Sequence, residues 1–394
     1  MIKNSAILKK KESRFCSLLL ILFLLGTFFA KVLPIGIFVG NAIVGIIGLT
    51  LLFYVCITEK NSPIPVYILL YCIMAMTVMS VSMAYNGNSS PEDLAWIWVY
   101  AGPVSVLLTK QIDYRYFKFA FYAVTLYIFI QVLTGVNEAN LFTSGSRNAI
   151  SANIIFFAVL LYLFQYNQTG HIDLMPSVLV LAICVYGSGR SGVLVGLALF
   201  LLVLLSYLLF EKKMAVFKVA LVAVIAVCAY ILIVNIFGDY LLYLDARFDR
   251  EGLESSRTII WSEYFSAIFS SVGDMVFGAP TTSSTGLHIA YYGGNLHNAF
   301  LMLHAKFGIA GFLFIFLGIL LFTKEAIRRR DFIYGGMLAI LIFRSMFDWT
   351  AFTGQYDLVF LYIIFNTLLY RKSEKTSSRL TIMPQPMQER NLNG

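Results

Sequence analysis

Apolar residues run through this chain in long blocks separated by short polar breaks. A helix needs roughly 20 mostly apolar residues to cross a hydrocarbon layer. Such windows fall near 15–33, 35–57, 65–84, 94–109, 116–135, 149–166, 174–188, 192–210, 215–237, 297–322, 332–348 and 356–370. Backbone polar groups in lipid must all find internal partners, so the windows predict helices. The expected fold is all-α, a polytopic transmembrane helical bundle of about 12 spans forming one integral membrane domain over residues 1–394. The windows at 94–109 and 174–188 are short, which leaves eleven as the other count.

One long stretch breaks the pattern. Residues 238–296 read as a large loop between spans nine and ten. Within it, Ser255 or Ser256 is placed to cap a surface helix over about 256–271. Ile259, Ile260, Tyr264, Ala267, Ile268 and Phe269 would give that helix an apolar stripe suited to a membrane surface. The Gly/Thr/Ser-rich run from Gly278 to Gly294 reads as flexible, and a loop of this length usually carries function. The first apolar block has no small-residue cleavage site and leads directly into the second, so it is read as a span, not a signal peptide.

Composition supports the pattern. With 59% hydrophobic and 13% charged residues, the chain carries more apolar surface than one aqueous core could bury. Cys16, Cys56, Cys72, Cys184 and Cys228 all lie inside apolar windows with no CxxC, which argues against a disulfide framework or a zinc site.

The net charge of +8 acquires meaning only from its placement. If the N-terminus is cytoplasmic, 21 of the 29 Lys and Arg residues fall on the inner side. This is the positive-inside distribution, and it accounts for the charge without a nucleic-acid partner. Both termini are then cytoplasmic. The outer side keeps Lys31, Arg147, Arg190, Arg247, Arg250, Arg257, Lys306 and Arg344. Arginine dominates this set, and its planar fork of donors suits phosphate oxygens even when partly desolvated. The outer face is therefore expected to meet an anion; snorkelling to lipid headgroups is the alternative for any single arginine.

Three outer stretches could carry chemistry. In "YGSGRSGVLVG", Tyr186 to Gly196, Arg190 sits in a Gly/Ser turn opening a helix, where backbone N–H groups favour an anion. A plain tight turn is the competing reading. In "ESSRTIIW", Arg257 occupies the first turn of the surface helix, unfavourable for a cation unless a phosphate binds there. A solvated loop charge competes with that. In "GGNLHNAFLMLHAKFGIAG", His297, His304, Gly308 and Gly311 fall on one stripe of a helix begun by His297. The positive end of that helix would keep the His297 imidazole neutral and able to take a proton. For His304 a hydrogen-bonded interhelical role is expected, for Lys306 a structural partner, and for Arg344 and Asp348 a salt bridge. "GRSG", Gly189 to Gly192, also fits the GxSG of rhomboid proteases, but twelve spans and a large late loop do not suit that fold. No HExxH and no outer DxD points to a metal.

Taken in order, these stretches resemble the O-antigen polymerase and O-antigen ligase superfamily of bacterial surface-glycan assembly. Its late motif, H-[N/S/Q]-x9-G-x-x-[G/T/Y], is matched by His297, Asn298, Gly308 and Gly311. Its "SR" turn is similar to Gly189-Arg190-Ser191. Its R-x-x-[L/I]-W helix is similar to Arg257-Thr258-Ile259-Ile260-Trp261, followed by a turn at Gly278-Ala279-Pro280.

The resemblance implies a bacterial inner-membrane glycosyltransferase with a periplasmic active face and no cofactor or metal. It would join undecaprenyl-pyrophosphate-linked oligosaccharide donor and acceptor among membrane lipids, with room for a chain-length regulator as partner. Arg190 and Arg257 would grip the pyrophosphate, and His297 would deprotonate or orient the acceptor hydroxyl. Arg147, Arg247, Arg250, Asn298, Tyr291, Tyr292 and Trp261 would contact phosphate or sugar. Polymerase is preferred. Transfer onto lipid A-core by a ligase is the alternative, and a lipid-linked oligosaccharide transporter the reading from another class. No internal repeat of the kind transporters show is visible.

Overall fold

The computed structural model describes residues 11–33, 36–143, 147–210, 256–329 and 331–381. The expected ninth window, the first part of the large loop (238–255), and with it Arg247 and Arg250, lie outside the described residues. Fourteen α-helices are found among them: α1 (Arg14–Val32), α2 (Ile37–Thr58), α3 (Ile64–Asn86), α4 (Pro91–Thr109), α5 (Tyr114–Leu133), α6 (Asn148–Thr169), α7 (Met175–Tyr186), α8 (Arg190–Phe210), α9 (Ser256–Ile268), α10 (Val272–Phe277), α11 (Leu287–Tyr291), α12 (Ala299–Arg329), α13 (Phe332–Ser345) and α14 (Asp357–Thr381). Each of the eleven described windows coincides with one helix, α1 to α8 and α12 to α14.

Seven of these helices are long and apolar enough to cross a membrane, while α7, α13 and the apolar part of α14 are shorter. The chain is a helical, multi-pass membrane protein. Starts are set locally. Ser90 and Asp93 form a reciprocal capping box with Pro91 at the first helical position, and Asp113 and Asp331 cap α5 and α13.

The helix ends sort into two poles. At one, Lys110 pairs with Glu59, Lys118 with Asp173 at 2.8 Å, and the Ile112 carbonyl accepts from Gln168. A two-residue parallel pairing also sets Lys11 beside Lys110 there. At the other, Lys31 Nζ reaches Gln355 Oε1 at 3.3 Å, Arg344 reaches the Asn148 carbonyl at 2.9 Å, and the α9–α11 segment packs over the end of α3. Between the poles α6 is nearly all buried, whereas little of α2 or α3 is. At the α2–α4 crossing, a Cβ on Gly48 or Gly102 would strike the facing backbone, so glycine permits a contact no other residue fits.

Three expectations are corrected. The surface helix ends at Ile268 instead of running to about 271, because the Ser271 hydroxyl accepts the Asp274 N–H at 3.0 Å and starts α10. Its buried stripe, Ile260, Tyr264 and Ile268, faces the protein, packing with Ile289, Leu296 and Met302; Ile259 and Phe269 point outward. The histidine–glycine stripe is also interrupted. His297 precedes the helix, which begins at Ala299, and Gly308 breaks α12 with φ 60°.

A Cβ at Gly308 would collide with the Val276 carbonyl, so this glycine admits the α10 backbone, not a neighbouring span. Next to the break, the Asn86 amide nitrogen lies within 3.0 Å of the Phe277, Gly278 and Ala305 carbonyls. Asn88 Nδ2 adds bonds of 2.7 Å to Ala279 and 2.9 Å to Ala305. Gly308→Ala therefore combines a left-handed backbone with a clash against main chain. It should destabilise by more than about 1 kcal/mol, read as a lowered melting midpoint in detergent.

Candidate functional site

The second pole gathers the outer arginines. The turn before α8 packs on the start of α6: Cβ atoms on Gly187, Gly189 and Gly192 would meet the Arg147 carbonyl, Asn148 and Ser151, respectively. That packing carries Arg190, the first residue of α8, beside Arg147, the residue before α6. Glu138 joins the two segments, accepting from Ser188 Oγ at 3.3 Å and lying 4.0 Å from Arg147 Nη1. Arg344, at the end of α13, reaches into the same place from another direction. Its Nη2 donates to the Asn148 carbonyl (2.9 Å), Asp348 Oδ2 (3.1 Å) and Ser151 Oγ (3.4 Å). The expected Arg344–Asp348 pair is thus present. Arg344 is 0% exposed, and its Nε and Nη1 meet no acceptor among the described residues.

Arg257 and His297 complete the cluster. Burial pulls the Arg257 guanidinium below its ordinary value; Asp348 opposes this, while Arg344 and Arg190 deepen it. Those mutual effects place Arg257, Arg190, Arg344 and Asp348 in one electrostatic neighbourhood. Burial likewise lowers the His297 imidazole, with Asp348 opposing and Arg257 reinforcing. With its pKa below the ordinary histidine value the imidazole is neutral near pH 7, and burial is the first cause with Arg257 adding to it. It meets the Tyr292 ring edge-on at 5.2 Å between centroids.

His297 is held by its backbone. It has φ 50°, its N–H donates to Asn295 Oδ1 at 2.8 Å, and the preceding Leu296 carbonyl accepts from Trp261 Nε1 at 2.9 Å. Asn298 Oδ1 accepts the N–H groups of Phe300 (2.9 Å) and Leu301 (3.2 Å), capping α12. Two residues expected to touch substrate, Trp261 and Asn298, thus use a polar atom to fix the turn that carries His297. Tyr292 lies against His297, and Tyr291 is exposed beside it. The non-glycine residues with left-handed backbone among the described residues, Ser188, His297 and Phe352, all lie at this pole. Such strain concentrates at functional sites.

His304 does not join the cluster. Its Nε2 lies 2.9 Å from the Met275 carbonyl, which can only accept, so Nε2 carries the proton of a neutral ring and Nδ1 accepts from Tyr264 Oη at 3.0 Å. Lys306 pairs with Asp93 at 2.7 Å and lies 4.1 Å from the Trp349 ring centroid. Both have the structural partners their positions suggested.

Asp348 is the residue whose reach the sequence hid. Beyond Arg344, it acts electrostatically on Arg257, His297 and Lys31. Its only signal was its spacing of four from Arg344. Around Asp348 and Glu138 stand Lys31, Arg147, Arg190, Arg257 and Arg344, so the site keeps a positive excess beside a neutral imidazole. Such a site can bind a polyanion and accept one proton. Among the described residues no group of His, Cys, Asp and Glu is arranged to hold a metal. No protein-family model and no curated protein matches this chain.

Proposed function

We propose that this protein is a glycosyltransferase of bacterial surface-glycan assembly, joining undecaprenyl-pyrophosphate-linked oligosaccharide repeat units at the periplasmic face of the inner membrane. The observation that carries the reading is the gathering of Arg190, Arg257 and Arg344 in one electrostatic neighbourhood, with Arg257 acting on a half-buried, neutral His297 at the same pole. The pole opposite holds Lys110 and Lys118 of the basic, inner-side set, in keeping with a twelve-span topology with both termini inside.

In the reaction, His297 takes the proton from an acceptor sugar hydroxyl. The oxygen attacks the anomeric carbon from the face opposite the diphosphate. The carbon–oxygen bond to the diphosphate breaks, its electron pair leaves with the diphosphate, and the anomeric centre inverts. Arg190 and Arg257 stabilise the charge that develops on the leaving group, and a water-poor site strengthens them. Asp348, held by Arg344, keeps the arginines mutually tolerable before substrate arrives.

The test is complementation of a strain lacking its repeat-unit polymerase but competent in repeat-unit synthesis and export. Expression of this chain should restore a ladder of glycan lengths. In the alternative reading, finished chains stranded on the undecaprenyl carrier of a ligase-null strain would move to lipid A-core on expression. Restoration of neither removes the proposal.

A further inference from the structure

On the side of α12 away from the arginines lies a cavity of about 450 Å³. Its walls come from α3, α4, α12, α14 and the adjoining residues Phe352 and Thr353. None comes from α6, α8 or α13, the helices that begin or end at the arginine cluster. Tyr71, Tyr100, Phe307, Ala310, Phe352 and Phe365 make the lining almost wholly apolar. Since little of α3 is buried, only one bilayer-facing helix separates the cavity from lipid on that side.

The polar groups of the cavity gather where Thr353 and Asp357 line it. Thr353 Oγ1 lies 3.4 Å from Asp93 Oδ1, the atom that also receives Lys306 Nζ. The same end adjoins the start of α12: the Phe352 ring sits 5.8 Å from Phe300, three residues after His297. The void therefore leads from the apolar layer toward the segment that carries His297, along helices other than those that bear Arg190 and Arg344.

We propose that this cavity holds the isoprenoid chain of the acceptor substrate, so that acceptor and donor approach His297 along different helices. The inference rests on the glycosyl-transfer reading and deepens it. Of two lipid-borne reactants, only the donor loses its diphosphate, and only that diphosphate needs arginines. The acceptor keeps its carrier and must be held by the apolar part while its sugar reaches the base. A volume of this size, within the range of about 300–1,000 Å³ typical of ligand sites, admits the head-proximal isoprene units of one chain and not the several acyl chains of a lipid A acceptor. The cavity thus favours repeat-unit polymerisation over ligation.

The test uses full-length protein in phosphatidylcholine nanodiscs with a diazirine-bearing geranylgeraniol, whose neutral head gives the arginines nothing to hold. After photolysis, label should concentrate in 64–86 and 357–369. It should fall at least tenfold in Ala310→Trp and in Ala75→Trp, which fill the cavity from two different helices, each variant eluting as a monodisperse species. It should be unchanged in Arg190→Ala and in excess inorganic pyrophosphate. Label spread along α2 and α5, or indifferent to both fillings, overturns the proposal. So does equal displacement by phosphatidylglycerol, which would make this an acyl-chain site. A wild type that labels here but makes no polymer breaks the transfer reading and with it the acceptor role, leaving an isoprenoid site; one that polymerises while its label ignores both fillings breaks the cavity assignment alone.

Discussion

Replacing His297 by Ala should abolish the glycan ladder while the protein remains in the membrane at its wild-type level. A positioned general base contributes about 10²- to 10⁴-fold, and among the described residues no second histidine stands in the arginine cluster to replace it. His304 has both ring nitrogens engaged, by Met275 and Tyr264. The pH dependence gives an independent reading. The base must be neutral to act, so activity falls as pH drops through the His297 pKa. Burial holds that pKa below its ordinary value, which places the acid limb of kcat/KM below the usual histidine range. Asp348 raises the imidazole, so Asp348→Asn should move the limb to lower pH. Arg257 lowers it, so Arg257→Gln should move the limb to higher pH in whatever activity survives. Purified enzyme with a lipid-linked oligosaccharide substrate suffices for the measurement. A His297→Ala variant above a tenth of wild-type turnover, or an acid limb that ignores both neighbours, would remove the base assignment.

The second large effect is expected at Arg257, where function and stability should part. This guanidinium is partly buried with Arg190 and Arg344 nearby and Asp348 as the opposing charge. Without ligand the grouping is repulsive, so Arg257→Met should leave the melting midpoint of the unliganded protein unchanged or higher. Inorganic pyrophosphate should raise the wild-type midpoint through preferential binding to the folded state, and the variant should lose that rise. Turnover should fall by about 10²- to 10³-fold, the scale on which one stabilising donor of a developing negative charge acts. Arg257→Lys should recover little, since an ammonium cannot present the bidentate fork. Differential scanning fluorimetry at fixed ionic strength reads the first effect. A pyrophosphate response that survives in Arg257→Met would show that the anion is held elsewhere.

Much of the scaffold was legible because a bilayer imposes a one-dimensional rule. A long apolar run must be a helix, so the windows anticipated α1 to α8 and α12 to α14 closely. The local motifs were legible too: Arg190 opens α8, and Arg257 lies in the first turn of α9. Illegible were the features fixed by contacts between distant segments. The stripe running from His297 through Gly308 assumed one continuous helix; the break arises because the α10 backbone needs the space, which nothing near Gly308 in the chain announces. The surface stripe was found but its direction was not, since Ile260, Tyr264 and Ile268 could equally have met lipid or protein. Asp348 looked like the partner of Arg344 because helical spacing makes such pairs visible. Its effect on His297 and Arg257 depends on how α13 sits against the loop, which no spacing encodes. Asn298 and Trp261 were expected to be substrate contacts because of the resemblance, whereas the fold spends one polar atom of each on shaping the turn around His297.

The break at Gly308 has a bearing on biogenesis. A segment released into the bilayer as a regular helix carries its hydrogen bonds with it, but α12 cannot: near the interruption the Ala305 carbonyl takes its donors from Asn86 and Asn88. Asn86 precedes Ala305 by 219 residues. The late segment therefore reaches its bent form only after docking against a helix synthesised much earlier, and until then the straight conformer is the one lipid tolerates. Assembly of this end of the protein is a post-insertional event, gated by two carboxamides.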